Sequence, residues 1–160
     1  MMFKALIAST AALTAVAAAA CSPEPPPPAS THIEVTAVYI SEPAMGERAA
    51  MYCTIVNGGD DADELVGVST PVAAVAEIHQ TVQEGGRVRM EPVSSLTLPA
   101  GGELRFAPGA YHVMLLELQE EFAPGDWVDA TLHFRQAGEI MIRGQVLKYV
   151  DIEKALTDSQ

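Results

Sequence analysis

Past residue 31 the chain reads as short alternating segments of apolar and polar residues, separated by glycine, proline, asparagine and aspartate. Residues 32–40 alternate with Ile33, Val35, Ala37 and Tyr39 on one side, the period of a half-buried strand. The loop SEPAMGE leads to a second strand at 49–57, and NGGDDAD is a strong turn signal before a short strand at 65–69. Residues 76–82 and 87–93 flank QEGG as a hairpin. Short strands at 96–98 and 104–106 follow, then 111–118, with the turns PAGG and APG between them. The turn Ala123-Pro124-Gly125-Asp126 precedes a last hairpin of 127–134 and 139–150 around QAG, and residues 153–160 fray or form a short helical end. No stretch in this part combines helical period with length. Many short strands at close spacing define an all-β sandwich or barrel, expected as one domain over residues 32–152.

The first 31 residues follow other rules. Lys4 precedes an alanine-rich apolar run, residues 5–20, too short for a good membrane span and built like an export signal. It ends in Ala18-Ala19-Ala20-Cys21, which resembles the bacterial lipoprotein cleavage signal with Cys21 as the lipidated N-terminus. The third residue before the cysteine is Ala rather than the usual Leu, and the run also satisfies ordinary Ala-x-Ala cleavage. Either route exports the protein to the periplasm, and lipidation would tie it to a membrane. Ser22 rather than an acidic residue follows Cys21, as in lipoproteins sent on to the outer membrane. The proline-rich segment SPEPPPPAST cannot join a core. As extended polyproline II it spans roughly 30 Å, suiting a tether between anchor and domain.

Composition narrows the function. The chain has 160 residues, is 49% apolar and carries a formal net charge of −12. That leaves room for one core and disfavours nucleic acid, which needs a basic face. No Ser/His/Asp order, carboxylate pair or phosphate-binding glycine loop stands out, so nothing argues for an enzyme. The two cysteines, Cys21 and Cys53, do not form a disulfide framework, since Cys21 has its own expected fate.

The candidate chemistry lies between residues 79 and 114. With Glu84-Gly85 as the two-residue hairpin loop, Thr81 faces Val88 and His79 faces Met90 directly across the strand pair. His112 and Met114 are two apart on one strand and share a face. Two imidazoles and two thioethers would form an uncharged, soft donor set. It suits Cu(I) better than Cu(II), which prefers more nitrogen and oxygen, or zinc, which prefers cysteine, histidine or carboxylate. Singly, each residue has an ordinary role: methionine fills cores and histidine hydrogen-bonds near surfaces. Spacing alone therefore leaves the metal open, and whether the two pairs meet depends on the fold. His32 stands at the domain's start, and His133 points away from the apolar face of its strand. Cys53, between Met51 and Ile55, reads as a buried thiol. Met45 and Met141 are expected to be solvent-exposed, and Trp127 to pack in the core or at its rim.

His79, Met90, His112 and Met114 reproduce the spacing H-x10-M-x21-H-x-M, and this resembles the periplasmic copper chaperone family of PCuAC-type proteins. The surroundings are similar too, in Tyr52 through Asn57-Gly58, Asp63-Glu64-Leu65, Glu77-Ile78-His79, Pro108-Gly109 and Gly125-Asp126. The resemblance covers nearly the whole globular part. It implies a cupredoxin-like Greek-key β-barrel or sandwich that binds one Cu(I) per chain through those four residues. It also implies a carrier that hands copper to a cytochrome oxidase subunit during assembly of a CuA-type centre, and a monomer is expected. The chain departs from the family in its possible lipid anchor and in the end EKALTDSQ, which lacks the His/Met-rich Cu(II)-binding extension of some members. A cupredoxin electron carrier is the alternative, but Cys53 lacks the neighbouring His and Met of such a copper site. A metal-free lipoprotein that binds a protein partner is another.

Overall fold

A computed structural model describes residues 32–44 and 47–159. The leader, Cys21, the proline tether and Met45 lie outside the described residues. Ten strands and one helix follow in order: β1 (Ile33–Ser41), β2 (Arg48–Asn57), β3 (Asp63–Ser69), β4 (Ala73–Glu84), β5 (Arg87–Pro92), β6 (Leu96–Leu98), β7 (Glu103–Arg105), β8 (Tyr111–Leu118), β9 (Trp127–Phe134), β10 (Gly138–Leu147) and α1 (Tyr149–Asp158). The all-β expectation holds. Hydrogen-bonded neighbours run β5-β4-β8-β2-β1-β10-β9-β3-β6, with β7 also on β2. The sheet does not close into a barrel; it folds over as an open, cupredoxin-like sandwich. Among the described residues the strands pair antiparallel except β1 with β10.

Strand β1 makes the fold possible by changing faces midway. Ala37 sits at φ 51° and the register with β2 slips between Thr36 and Tyr39. A bulge adds one residue and so reverses the side on which all later side chains point. Ile33 and Val35 face the main core before the bulge, and Val38 and Ile40 after it. Ala37 and Tyr39 instead face a second, outer cluster, so the unbroken alternation read from the sequence does not hold.

The main core lies between the layers and includes Met51, Ile55, Leu65, Phe106, Leu115 and Leu132, all essentially inaccessible. Cys53 belongs to it and is 1% exposed. Behind β1 and β2 the second cluster forms under α1, where Tyr52 packs with Ile152 and Leu156. The chain's end is thus a helix that starts at Tyr149, where the sequence suggested strand, and Leu156 holds it to the sheet. Tyr39 Oη and Ser159 Oγ, 2.7 Å apart, fasten its far end. Trp127 is half-exposed, at the rim rather than in the core. Among the described residues no helix is long and apolar enough to cross a membrane.

At one end, Asp63 clamps β3 to the β9–β10 turn. Its buried carboxylate accepts backbone N–H groups from Glu64 (2.7 Å), Gln136 (2.9 Å) and Ala137 (2.8 Å). Beside it the Glu64 carboxylate accepts from the Arg135 guanidinium (2.6 Å) and the Ser95 hydroxyl. These bonds, the Arg135 bond foremost, hold the Glu64 carboxyl below the usual range.

Candidate metal centre

Strand β2 sorts the two faces. Ala49, Met51, Cys53 and Ile55 point into the main core, while Ala50 and Tyr52 point outward. Ala50 pairs with Met114 on β8, so Met114 and, two residues earlier, His112 share that outer face. His112 in turn pairs with His79 on β4, and Met114 with Glu77. Residues 77, 79 and 81 of β4 therefore lie on the same face, and Met90 joins them by pairing with Thr81.

This register corrects the hairpin read from the sequence. The loop is Gly85-Gly86, not Glu84-Gly85: Glu84 pairs with Arg87, and His79 stands opposite Pro92 rather than Met90. Both loop residues have positive φ, 59° and 75°. A two-residue type I′ turn needs positive φ at both central positions, and Gly-Gly supplies it without a Cβ penalty. Glycine at 86 was the missed signal. A slip of two residues preserves the face, so Met90 still points to the same side as His79.

The four candidate donors therefore converge on one outer patch. His79 and His112 occupy the middle row, with ring centroids 5.9 Å apart. Met114 lies one row to one side and Met90 one row to the other. Diagonal neighbours across a strand pair are about 7–8 Å apart, within reach of long flexible side chains. A cavity of about 240 Å³ opens here, lined by Met90, His112, Met114, Tyr52, Pro108 and Tyr149 among others. Met90 is 57% exposed, whereas Met114 and His79 are half-buried and His112 is 3% exposed.

The hydrogen bonds place a proton on one nitrogen of each imidazole. His112 Nδ1 is 3.2 Å from the Ala110 carbonyl oxygen, which can only accept, so Nδ1 carries the proton. His79 Nε2 is 2.9 Å from the Glu77 carboxylate and donates to it. The other nitrogens, His79 Nδ1 and His112 Nε2, are buried and have no hydrogen-bond partner. Burial lowers the His112 pKa, the Ala110 bond opposes this, and the nearby His79 lowers it further. Tyr52, with its ring centroid 6.4 Å from that of His112, has its phenol pKa raised, chiefly by burial. When both rings are neutral, two unpartnered imidazole nitrogens beside two thioethers can present lone pairs to a soft cation.

The other candidates lie elsewhere. Cys53 points into the core on the opposite face of β2, so it cannot join this cluster. Burial pushes its thiol up to about 12. His133 is tied to Ser69 Oγ (2.8 Å) and Glu139 (3.5 Å), and Met141 is exposed on β10. Sequence reasoning quoted Glu77 and Tyr52 only as context. Their place on the outer face, two residues from His79 and two from Ala50, brings both into the site.

A sandwich carrying a His/Met cluster on one outer face beside a C-terminal helix defines a cupredoxin-like donor-site domain. Residues 33–146 match the family described as "Putative lipoprotein LpqE-like", and the chain belongs to this family, the PCuAC family. It is 30% identical over 103 residues to "Putative lipoprotein Lxx21020" of Leifsonia xyli, covering 64% of this chain and 61% of that protein. It is 32% identical over 88 residues to "Uncharacterized protein RP573" of Rickettsia prowazekii, covering 54% of this chain and 49% of that one. The chain thus spans only about half to three-fifths of these relatives' lengths. Among solved structures it resembles the copper-bound PCuAC domain from PmoF2, with a TM-score of 0.62 and 26% identity over 72% of this chain and 92% of that one. It also resembles the Cu(I) form of DR1885 from Deinococcus radiodurans, with a TM-score of 0.58 and 31% identity over 75% and 79%.

Proposed function

We propose that this protein is a Cu(I)-binding metallochaperone of the bacterial cell envelope, taking one ion per chain through His79, Met90, His112 and Met114. The observation that carries the reading is the pair of buried, unpartnered imidazole nitrogens on a face that also presents both methionines. A buried polar atom without a partner is costly. Here the cost is offset when a cation takes the lone pairs. The copper-bound PmoF2 domain and the Cu(I) form of DR1885 support the choice of metal. The family's lipoprotein description supports a lipid-anchored form at the envelope; we place the acyl group on Cys21 and, because Ser22 rather than an acidic residue follows it, the address at the outer membrane.

Exposure suits a carrier. Met90 stands on an edge strand whose six residues are all exposed, so a recipient's ligands can displace it first and the buried His112 last. Thioethers assist release because they bind without charge. The recipient we propose is a cytochrome oxidase subunit receiving its CuA-type centre, with the chaperone acting as a monomer and not as an enzyme. Anaerobic Cu(I) titration against a competing chelator tests the site. The wild type should take up one equivalent, and a Met90→Ala/Met114→Ala variant should bind far more weakly. Equal affinity in the two would overturn the four-donor site.

A further inference from the structure

The two histidines are not equivalent. His112 keeps its proton on Nδ1 and leaves Nε2 bare, whereas His79 keeps its proton on Nε2 and leaves Nδ1 bare. We infer that the ion is held by Nδ1 of His79 and Nε2 of His112, and that Glu77 is the positioning residue that imposes this mixed mode.

This rests on the copper-binding reading and adds the donor atoms and their orienting group. Each ring's hydrogen bond shows which nitrogen carries the proton, and the remaining nitrogen of each ring is buried. Glu77 and His79 are two apart on β4 and so share a face. The carboxylate sits 2.9 Å from Nε2. It occupies that nitrogen, fixes the ring orientation that leaves Nδ1 buried and unpartnered, and makes the imidazole a better donor. Glu77 does not touch the ion, and its own side chain is 46% exposed. Nδ1 is closer to the backbone than Nε2. An ion held in this way would lie nearer β4 than β8, on the side of Met90.

The test uses full-length protein labelled with 15N at histidine, prepared without oxygen and examined with and without Cu(I). Long-range proton–nitrogen spectra identify which nitrogen of each ring responds to the metal. The expected result is a copper-dependent shift at Nδ1 of His79 and Nε2 of His112. In Glu77→Leu, Cu(I) affinity should fall about 10- to 100-fold, the usual effect of losing an outer partner of a ligating histidine. The His79 response should also split between its two nitrogens. Glu77→Gln, whose amide oxygen still accepts from Nε2–H, should restore the single response and most of the affinity. A shift at Nε2 of His79 in the wild type, or wild-type affinity in Glu77→Leu, would overturn this inference while leaving copper binding intact. The absence of any copper-dependent shift in the wild type would overturn both.

Discussion

Replacing His112 by phenylalanine separates what the site costs the fold from what it does. The imidazole is 3% exposed and its Nε2 has no hydrogen-bond partner. An unpaired buried polar group costs about 1–3 kcal/mol. His112→Phe keeps a planar ring, with the adjoining cavity of about 240 Å³ to take the slightly larger side chain. The variant loses the Nδ1–H bond to the Ala110 carbonyl, worth about 1 kcal/mol. That carbonyl still accepts the backbone N–H of Thr81 at 3.1 Å, so no acceptor is orphaned. The balance favours the metal-free variant by roughly 1 kcal/mol, or ~4 °C in melting temperature. Copper reverses the order. At a free Cu(I) concentration of about 1,000 times Kd, a bound ion adds about 4 kcal/mol to the wild type. The variant keeps three donors and gains much less. Anaerobic thermal melts of both proteins, with and without buffered Cu(I), should rank metal-free wild type lowest and copper-loaded wild type highest. A metal-free variant that melts below the wild type would refute the stored cost. An equal copper-induced rise in both proteins would refute the role of His112.

Three further outcomes follow from the same geometry. Burial lowers the His112 pKa, so the unfolded chain takes up a proton near pH 6.5 that the folded chain refuses. Metal-free stability should therefore fall as pH drops below about 6.5. In urea melts at pH 7.5 and 5.5 part of that fall should vanish in His112→Phe; an identical fall in both proteins contradicts it. Cys53, buried and with its pKa pushed up to about 12, should resist thiol reagents at pH 8 in a Cys21→Ser background until the protein unfolds. Rapid labelling of the folded protein would show that the core is open there. Asp63→Ala strands three backbone N–H groups at the β3 clamp and should cost about 3 kcal/mol in chemical denaturation. Where the variant remains folded its Cu(I) affinity should match wild type, because the clamp is remote from the donors; a matching loss of affinity would show coupling between the two ends.

Much of this was readable from local pattern. Glycine, proline and aspartate punctuation located the strands because turns depend on neighbouring residues alone. The positions of Met51, Cys53 and Ile55 followed from period two, and Cys53 lies in the core as expected. Ala37 shows where the pattern fails. A bulge leaves no local signature when the residue with positive φ is alanine, so β1 looked like one uninterrupted face. The hairpin register erred because Glu84-Gly85 and Gly85-Gly86 both read as acceptable loops, and only the second satisfies positive φ at both positions. The pairing of His79 with His112 joins β4 to β8 across a long stretch of chain, so no local rule could have found it. The same holds for the burial of their free nitrogens and for the Tyr52 wall, which exists because α1 folds back over β2.

In the site proposed here, two imidazoles and two thioethers from three strands bind one Cu(I). X-ray absorption at the copper edge, on protein loaded anaerobically with one equivalent, addresses it directly. The expected result is a monovalent edge and two nitrogens and two sulfurs bound to the ion, with one sulfur lost in Met90→Ala and one in Met114→Ala. A first shell without sulfur, or one that neither substitution alters, would contradict it.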